Sequence, residues 1–219
     1  MNFITLGIRS LLFGLSTFGY LTFLHRNSKL KVEFLPAVVF TGQICLLFLA
    51  ALWNLLLPGT IGLFLGGLFL AFLSLKDRKS YRDFLCIGYV FFVIACLYFL
   101  LLFKGQVFNS YDNFSHWALV VKQMLLTDRF PTWKDDIILF QSYPLGSSTF
   151  IYYVCKIISP ISEGCQMFAQ VMLDISMILP LFSYAKKNRW GNGVFMVGLT
   201  IFLLSFNTIP NELLVDTLL

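Results

Sequence analysis

Several stretches of this chain stay apolar for close to the length an α-helix needs to cross a bilayer core, about 20 residues at 1.5 Å each. No other feature restricts the fold so severely. The runs fall at about residues 4–24, 34–57, 84–103, 165–184 and 194–206, with a shorter one that follows Pro58-Gly59-Thr60 and ends at Leu75. Backbone in hydrocarbon must satisfy its own hydrogen bonds, which leaves helices or closed barrels, and these runs lack the residue-by-residue alternation of barrel strands. The expected fold is therefore all-α: a polytopic transmembrane protein of about six spans in a cell membrane, with the lipid bilayer as its first partner. Composition agrees, since 58% of the residues are hydrophobic and only 12% charged.

The net charge of +5 is read as topology and not as a nucleic-acid surface, because Lys and Arg cluster between spans. Three loops, at 25–31, 76–83 and 186–189, hold three, four and three of them, and the positive-inside rule puts these loops in the cytoplasm. The stretch at 147–161 then does not cross. It is only fifteen residues long, carries Lys156 and two adjacent tyrosines, stops at Pro160, and reads as an interfacial or re-entrant helix. Residues 113–127 form another interfacial helix, with Phe114, Trp117, Val121, Met124 and Leu125 on its apolar side and Asn113, His116, Lys122 and Gln123 between them. The chain divides into three amino-terminal spans over residues 1–83 and a module over 84–219 whose outer loop, 104–163, carries both interfacial helices. Gly62 and Gly66 are spaced for close helix packing.

Most of the versatile side chains lie in or beside Tyr111-Asp112-Asn113-Phe114-Ser115-His116-Trp117. On a helix, Asp112 and His116 share a face, which is a site-like arrangement. An equally weighted reading makes Asp112 a cap for a helix starting at Asn113, with His116 and Trp117 as interfacial anchors. Asp174, with Gln170 one turn before it, sits near the middle of an apolar run, where a charge must face protein or a watery cavity. The five cysteines show no metal-ligand spacing and read as small apolar core residues, although Cys155 and Cys165 lie where an oxidising compartment would let them bridge. Gly-rich phosphate loops, Ser-His-Asp sets and zinc patterns are missing from the sequence, and no stretch suggests nucleic-acid binding. The apolar ending, Asn211 to Leu219, looks like the start of another helix, as expected of the amino-terminal portion of a longer protein.

A span leading into a long outer loop with an acidic motif, two juxtamembrane helices, a Tyr143-Pro144-Leu145-Gly146 turn and an inward span ending in basic residues resembles the amino-terminal module of GT-C glycosyltransferases. The protein O-mannosyltransferases and lipid A aminoarabinose transferases are the similar families. The resemblance covers about residues 84–219 and implies transfer of a sugar from a polyprenyl-phosphate donor to a cell-envelope acceptor on the extracytoplasmic face. It implies Asp112 as the catalytic acidic residue and Tyr143 in the second juxtamembrane turn, with Asp216 as a weaker acidic match. Lys122, Arg129 and Lys156 are the cations available for a donor phosphate, His116 would orient Asp112 or bind phosphate, and Trp117 and Trp133 would stack on sugar. Many relatives place a second acid after the first, where this chain has Asn113, so a divalent metal is an option and not a requirement of the motif. Two alternatives stand beside this reading. One is a transporter or flippase that depends on Asp174, and the other a non-catalytic membrane fragment.

Overall fold

The computed structural model describes residues 3–75, 81–109, 111–138, 143–184, 190–207 and Leu213, and among these all regular structure is helical. Most of the long helices follow the apolar runs closely. Helix α1 is Phe3–Asn27, ending with His25 and Arg26 in its last turn, where cations oppose the helix dipole. Helix α2 (Leu35–Leu52) follows a 3-10 turn at Val32–Phe34 and takes Pro36 in its first turn, where a missing N–H costs nothing. Helix α3 is Leu56–Ser74, α4 is Ile87–Leu102, and α5 is Ala118–Thr127. Helix α6 is Gly146–Ile158, α7 is Glu163–Ile178 extended by a 3-10 segment to Tyr184, and α8 is Trp190–Asn207.

Four segments are long and apolar enough to cross a membrane: Ile4–Asn27, Val32–Leu52, Leu56–Ser74 and Glu163–Tyr184. Ile87–Leu102 and Gly191–Ile201 are apolar but shorter. The third basic loop and most of the chain after Asn207 lie outside the described residues.

The turn between α2 and α3 differs from expectation. Pro58 and Gly59 do not reverse the chain; they sit inside the first turn of α3, and the reversal falls at Trp53–Leu55 with Asn54 left-handed at φ 58°. Proline is tolerated there because the first helical N–H groups have no partner to lose.

Helices α1 and α3 make the closest crossing, and its small residues are not quite the expected ones. A Cβ on Gly19 would stand 2.0 Å from the Gly67 carbonyl oxygen, and one on Gly67 2.2 Å from Ser16 Oγ, whereas Gly62 faces open space. The two backbones therefore touch at Gly19 and Gly67, with Gly66 against Tyr20. The Ser16 hydroxyl donates to the Phe64 carbonyl at 2.9 Å and the Tyr20 hydroxyl to the Leu63 carbonyl at 2.7 Å, fastening the same crossing.

Helix α6 does not lie on a surface. Every residue from Ser147 to Cys155 is buried, and the helix packs against α7, α2, α5 and α1. Phe150 meets Phe40 at 4.8 Å and Tyr153 meets Phe13 at 5.6 Å between ring centres. A surface-lying helix keeps one face wet. Thirteen residues also fall short of a bilayer core at about 1.5 Å each. The interfacial position, one of the two expected for this segment, does not fit burial on every side.

Segments expected on one side of a membrane gather at one end of the bundle. His25 Nε2 pairs with Asp83 Oδ2 at 3.1 Å, and Lys31 Nζ donates to the Ser183 carbonyl at 3.5 Å, so the loops after α1 and before α4 meet the end of the α7 segment. At the other end, Leu6, Phe103, Lys104, Ser159, Ser162 and Cys165 surround a cavity of about 220 Å³.

Candidate functional site

The heptapeptide is helical, but not as an α-helix. Residues Asn113–Trp117 form a π-turn, closed by the Ala118 amide donating to the Asn113 carbonyl five residues back. A π-turn admits one extra residue per turn and rotates everything on its amino-terminal side relative to the α-helix that follows. That rotation decides which side chains face inward. Asn113 and His116, expected on the polar side, are buried at 0% and 3% exposure, while Phe114 points out. Asp112 is exposed, so the carboxylate and the imidazole do not occupy one face. Nor does Asp112 cap a helix: its backbone is already helical, at φ −65° and ψ −30°, and its side chain makes no capping bond.

The inward groups are held from two directions. Asn113 Oδ1 accepts the Leu213 amide at 3.0 Å, bringing a residue 100 positions away onto the turn. His116 lies edge-on between two rings, 4.8 Å from Trp117 and 4.9 Å from Tyr143, and the latter two are 5.5 Å apart with their planes tilted by 35°. Burial lowers the His116 pKa, so its imidazole is neutral at pH 7. Tyr143 is 43% exposed and Trp117 half-buried. The result is a partly open aromatic corner about one helical turn along the chain from the exposed Asp112.

The three candidate cations differ in freedom. Lys122 is exposed on α5. Arg129 is engaged by both oxygens of Asp135, at 2.9 and 3.0 Å, and the same carboxylate accepts from the Thr132 amide, the Thr132 hydroxyl and Gln123 Nε2. These bonds to the charged form, the guanidinium first, hold the Asp135 carboxyl well below the usual carboxylate range and raise the Arg129 pKa. Lys156 Nζ reaches Asp128 Oδ1 at 2.5 Å and the Leu125 carbonyl at 3.2 Å, and the Tyr152 hydroxyl donates to the same Asp128 oxygen at 2.7 Å. Arg129 and Lys156 thus close the loop between α5 and α6 instead of facing an open site. Trp133 is exposed, with Lys134 Nζ 5.3 Å from its ring centre.

Asp174 is buried in α7 and accepts from Gln170 Nε2 at 3.1 Å, the sharing expected from their spacing. Asp216 lies outside the described residues. Among the described residues no three His, Cys, Asp or Glu side chains come together as metal ligands, and Asp112 is followed by an amide, Asn113.

Sequence reading passed over Asp128, Asp135 and Tyr152. Asp128 ends α5 in the left-handed conformation at φ 53°, which short polar side chains tolerate, and its partner lies 28 residues downstream, beyond any local pattern. No protein-family profile matches the chain, and no curated protein or solved structure does either. The functional reading rests on the residues themselves.

Proposed function

We propose that this chain belongs to an integral-membrane glycosyltransferase that moves a sugar from a polyprenyl-phosphate donor to a cell-envelope acceptor at the extracytoplasmic surface. About six spans carry it, with the basic loops in the cytoplasm. The observation that carries the reading is the exposed Asp112 about one helical turn along the chain from His116 and Trp117, which with Tyr143 form the aromatic corner. Aromatic faces with one polar edge suit a pyranose ring, and π-turns concentrate at functional sites.

In the proposed reaction the acceptor hydroxyl attacks the anomeric carbon while Asp112 takes its proton. The bond from that carbon to the phosphate oxygen breaks, and polyprenyl phosphate leaves. Of the three candidate cations, the proposal gives the developing phosphate charge to the exposed Lys122, since Arg129 and Lys156 are already paired with Asp135 and Asp128. His116, neutral and buried, positions the ring of Tyr143 and leaves base chemistry to Asp112.

The test is Asp112→Asn in membranes of cells that express the protein, scored for a sugar modification of the cell envelope. Losing a general base lowers such a rate by about 10²–10⁴-fold. An unchanged modification would sink the proposal. The burial of Asp174 beside Gln170 favours a second reading, a transporter coupled to an intramembrane acid. In that case Asp174→Asn abolishes function and Asp112→Asn does not.

A further inference from the structure

The cavity at the opposite end of the bundle from the loops after α1 and before α4 is assembled from three stretches of chain far apart in sequence. Leu6 comes from the first turn of α1, Leu100, Phe103 and Lys104 from the end of α4 and just beyond it, and Ser159 and Ser162 from the connection between α6 and α7. That connection is tight. The Ser159 amide donates to the Cys155 carbonyl at 2.8 Å, and the Ser162 amide to the Ser159 carbonyl at 3.3 Å. A Cβ on Gly164 would stand 1.9 Å from the Phe103 carbonyl oxygen, so the start of α7 is pressed against the end of α4. Cys165, a free thiol, also lines the cavity.

The polar part of the lining holds hydrogen-bond donors and no acid. Ser162 caps α7: its Oγ accepts the Cys165 amide at 3.2 Å, which leaves the hydroxyl proton to donate elsewhere. The amides of Glu163 and Gly164 precede the helical ladder and have no acceptor among the described residues. Behind them stand the 16 residues of α7, whose dipole has its positive end here. Ser159 points to a ligand independently of the helix end. It is only 8% exposed, it lines the cavity, and its hydroxyl makes no hydrogen bond among the described residues. A buried hydroxyl in that condition calls for a partner from outside the chain. Lys104 adds a full positive charge to the same lining. Glu163, the acid nearest in sequence, is not part of it, and its Oε2 accepts the Phe108 amide at 2.7 Å.

We propose that this cavity binds the phosphate headgroup of an anionic membrane phospholipid. The Ser159 and Ser162 hydroxyls and the first amides of α7 donate to the phosphate oxygens, and Lys104 balances their charge. The apolar lining favours a lipid over a soluble phosphate. Leu6 and Leu100 are flanked on their helices by the exposed Ile4, Ile8, Leu97 and Leu101, so acyl chains leaving the cavity meet apolar surface. At about 220 Å³ the cavity is smaller than the roughly 300–1,000 Å³ of pockets that enclose a whole drug-sized ligand, as suits a headgroup whose chains stay outside. The site needs a bilayer beside it and does not depend on sugar transfer at Asp112.

The experiment melts the full chain, purified in detergent, with dioleoyl phosphatidic acid, dioleoyl phosphatidylcholine or inorganic phosphate at equal concentrations. Phosphatidic acid is expected to raise the midpoint by several degrees and to saturate, because a ligand held only by the folded chain stabilises it. The other two are expected to leave the midpoint near that of the chain alone. Ser159→Asp, which sets a carboxylate against the donors, and Lys104→Met each weaken the apparent affinity for phosphatidic acid by about tenfold or more. Lys134→Met, which removes an exposed lysine elsewhere, keeps it. Melting without lipid shows whether each variant folds; if Ser159→Asp does not, Ser159→Ala, which removes only the hydroxyl, takes its place and is expected to lose several-fold. An equal rise with inorganic phosphate assigns the site to a soluble anion and overturns the lipid. No rise with phosphatidic acid, or a rise that the Ser159 and Lys104 variants leave intact, overturns the site itself.

Discussion

Helices α3 and α7 are both long enough to cross a bilayer, yet they are buried to opposite degrees. Only 22% of the apolar window of α3 is covered, against 78% of that of α7. The more covered helix is the more polar one. Helix α7 hides Gln166, Gln170, Asp174 and Ser176, while α3 leaves Leu65, Phe69 and Phe72 exposed. In water this arrangement would be upside down, because burial of apolar surface is what drives folding there. It makes sense if the medium around α3 is hydrocarbon, where an exposed leucine costs nothing and the polar groups must find partners inside.

That contrast can be broken at several points. The largest effect is expected where α1 and α3 touch backbone to backbone. Gly19→Ala drives a methyl into the Gly67 carbonyl and costs about 3 kcal/mol or more, whereas Gly62→Ala, into open space, stabilises by up to about 1 kcal/mol. Thermal melts of the two variants in detergent should move in opposite directions. Next comes the medium itself. Leu65→Lys, on the exposed face of α3, should cost about 2.5–3.5 kcal/mol in a membrane-insertion assay; no cost would mean that water covers that face.

On the more polar side, Lys156→Met strands the Asp128 carboxylate and should lower stability by about 1–3 kcal/mol, with Asp128→Asn in the same chain restoring part of it. The smallest effect is the acid response of the loop between α5 and α6. The folded pKa of Asp135 is depressed, so its contribution is fully present above the unfolded value of about 3.9 and is lost as pH falls below it towards the folded pKa. Hydrogen-exchange protection across residues 129–135, taken relative to the intrinsic rate at each pH, should fall on acidification below pH ~4 in the native chain. In Asp135→Asn the protection should be low already at neutral pH, with no further acid step.

How much of this was legible in the sequence depends on the range of the interaction that fixes each feature. Hydropathy placed the long helices within a few residues, because length and composition alone decide what suits hydrocarbon. The α2–α3 turn was misplaced because Pro58 reads as a breaker, yet in the third position of a helix it loses no hydrogen bond. The helix contact was read at Gly62 and Gly66, but the spacing cannot say which glycine faces a neighbour, and Gly67 against Gly19 does. In the candidate site, a period of 3.6 residues paired Asp112 with His116, and a single π-turn parted them. The ion pair of Asp128 with Lys156 joins residues 28 apart, so no local pattern announced it.

The π-turn has one further consequence. A helix seldom survives the loss of a residue, because everything beyond the gap changes direction. Here the surplus position is already present, so removing one residue between Asn113 and Trp117 would let the coil relax to ordinary winding while α5 kept its orientation. Only the side chains upstream would swing, turning the aromatic corner relative to the Asp112 carboxylate. A one-codon change in length is therefore a way for this chain to reshape the surface around Asp112 while its helical frame stays as it is.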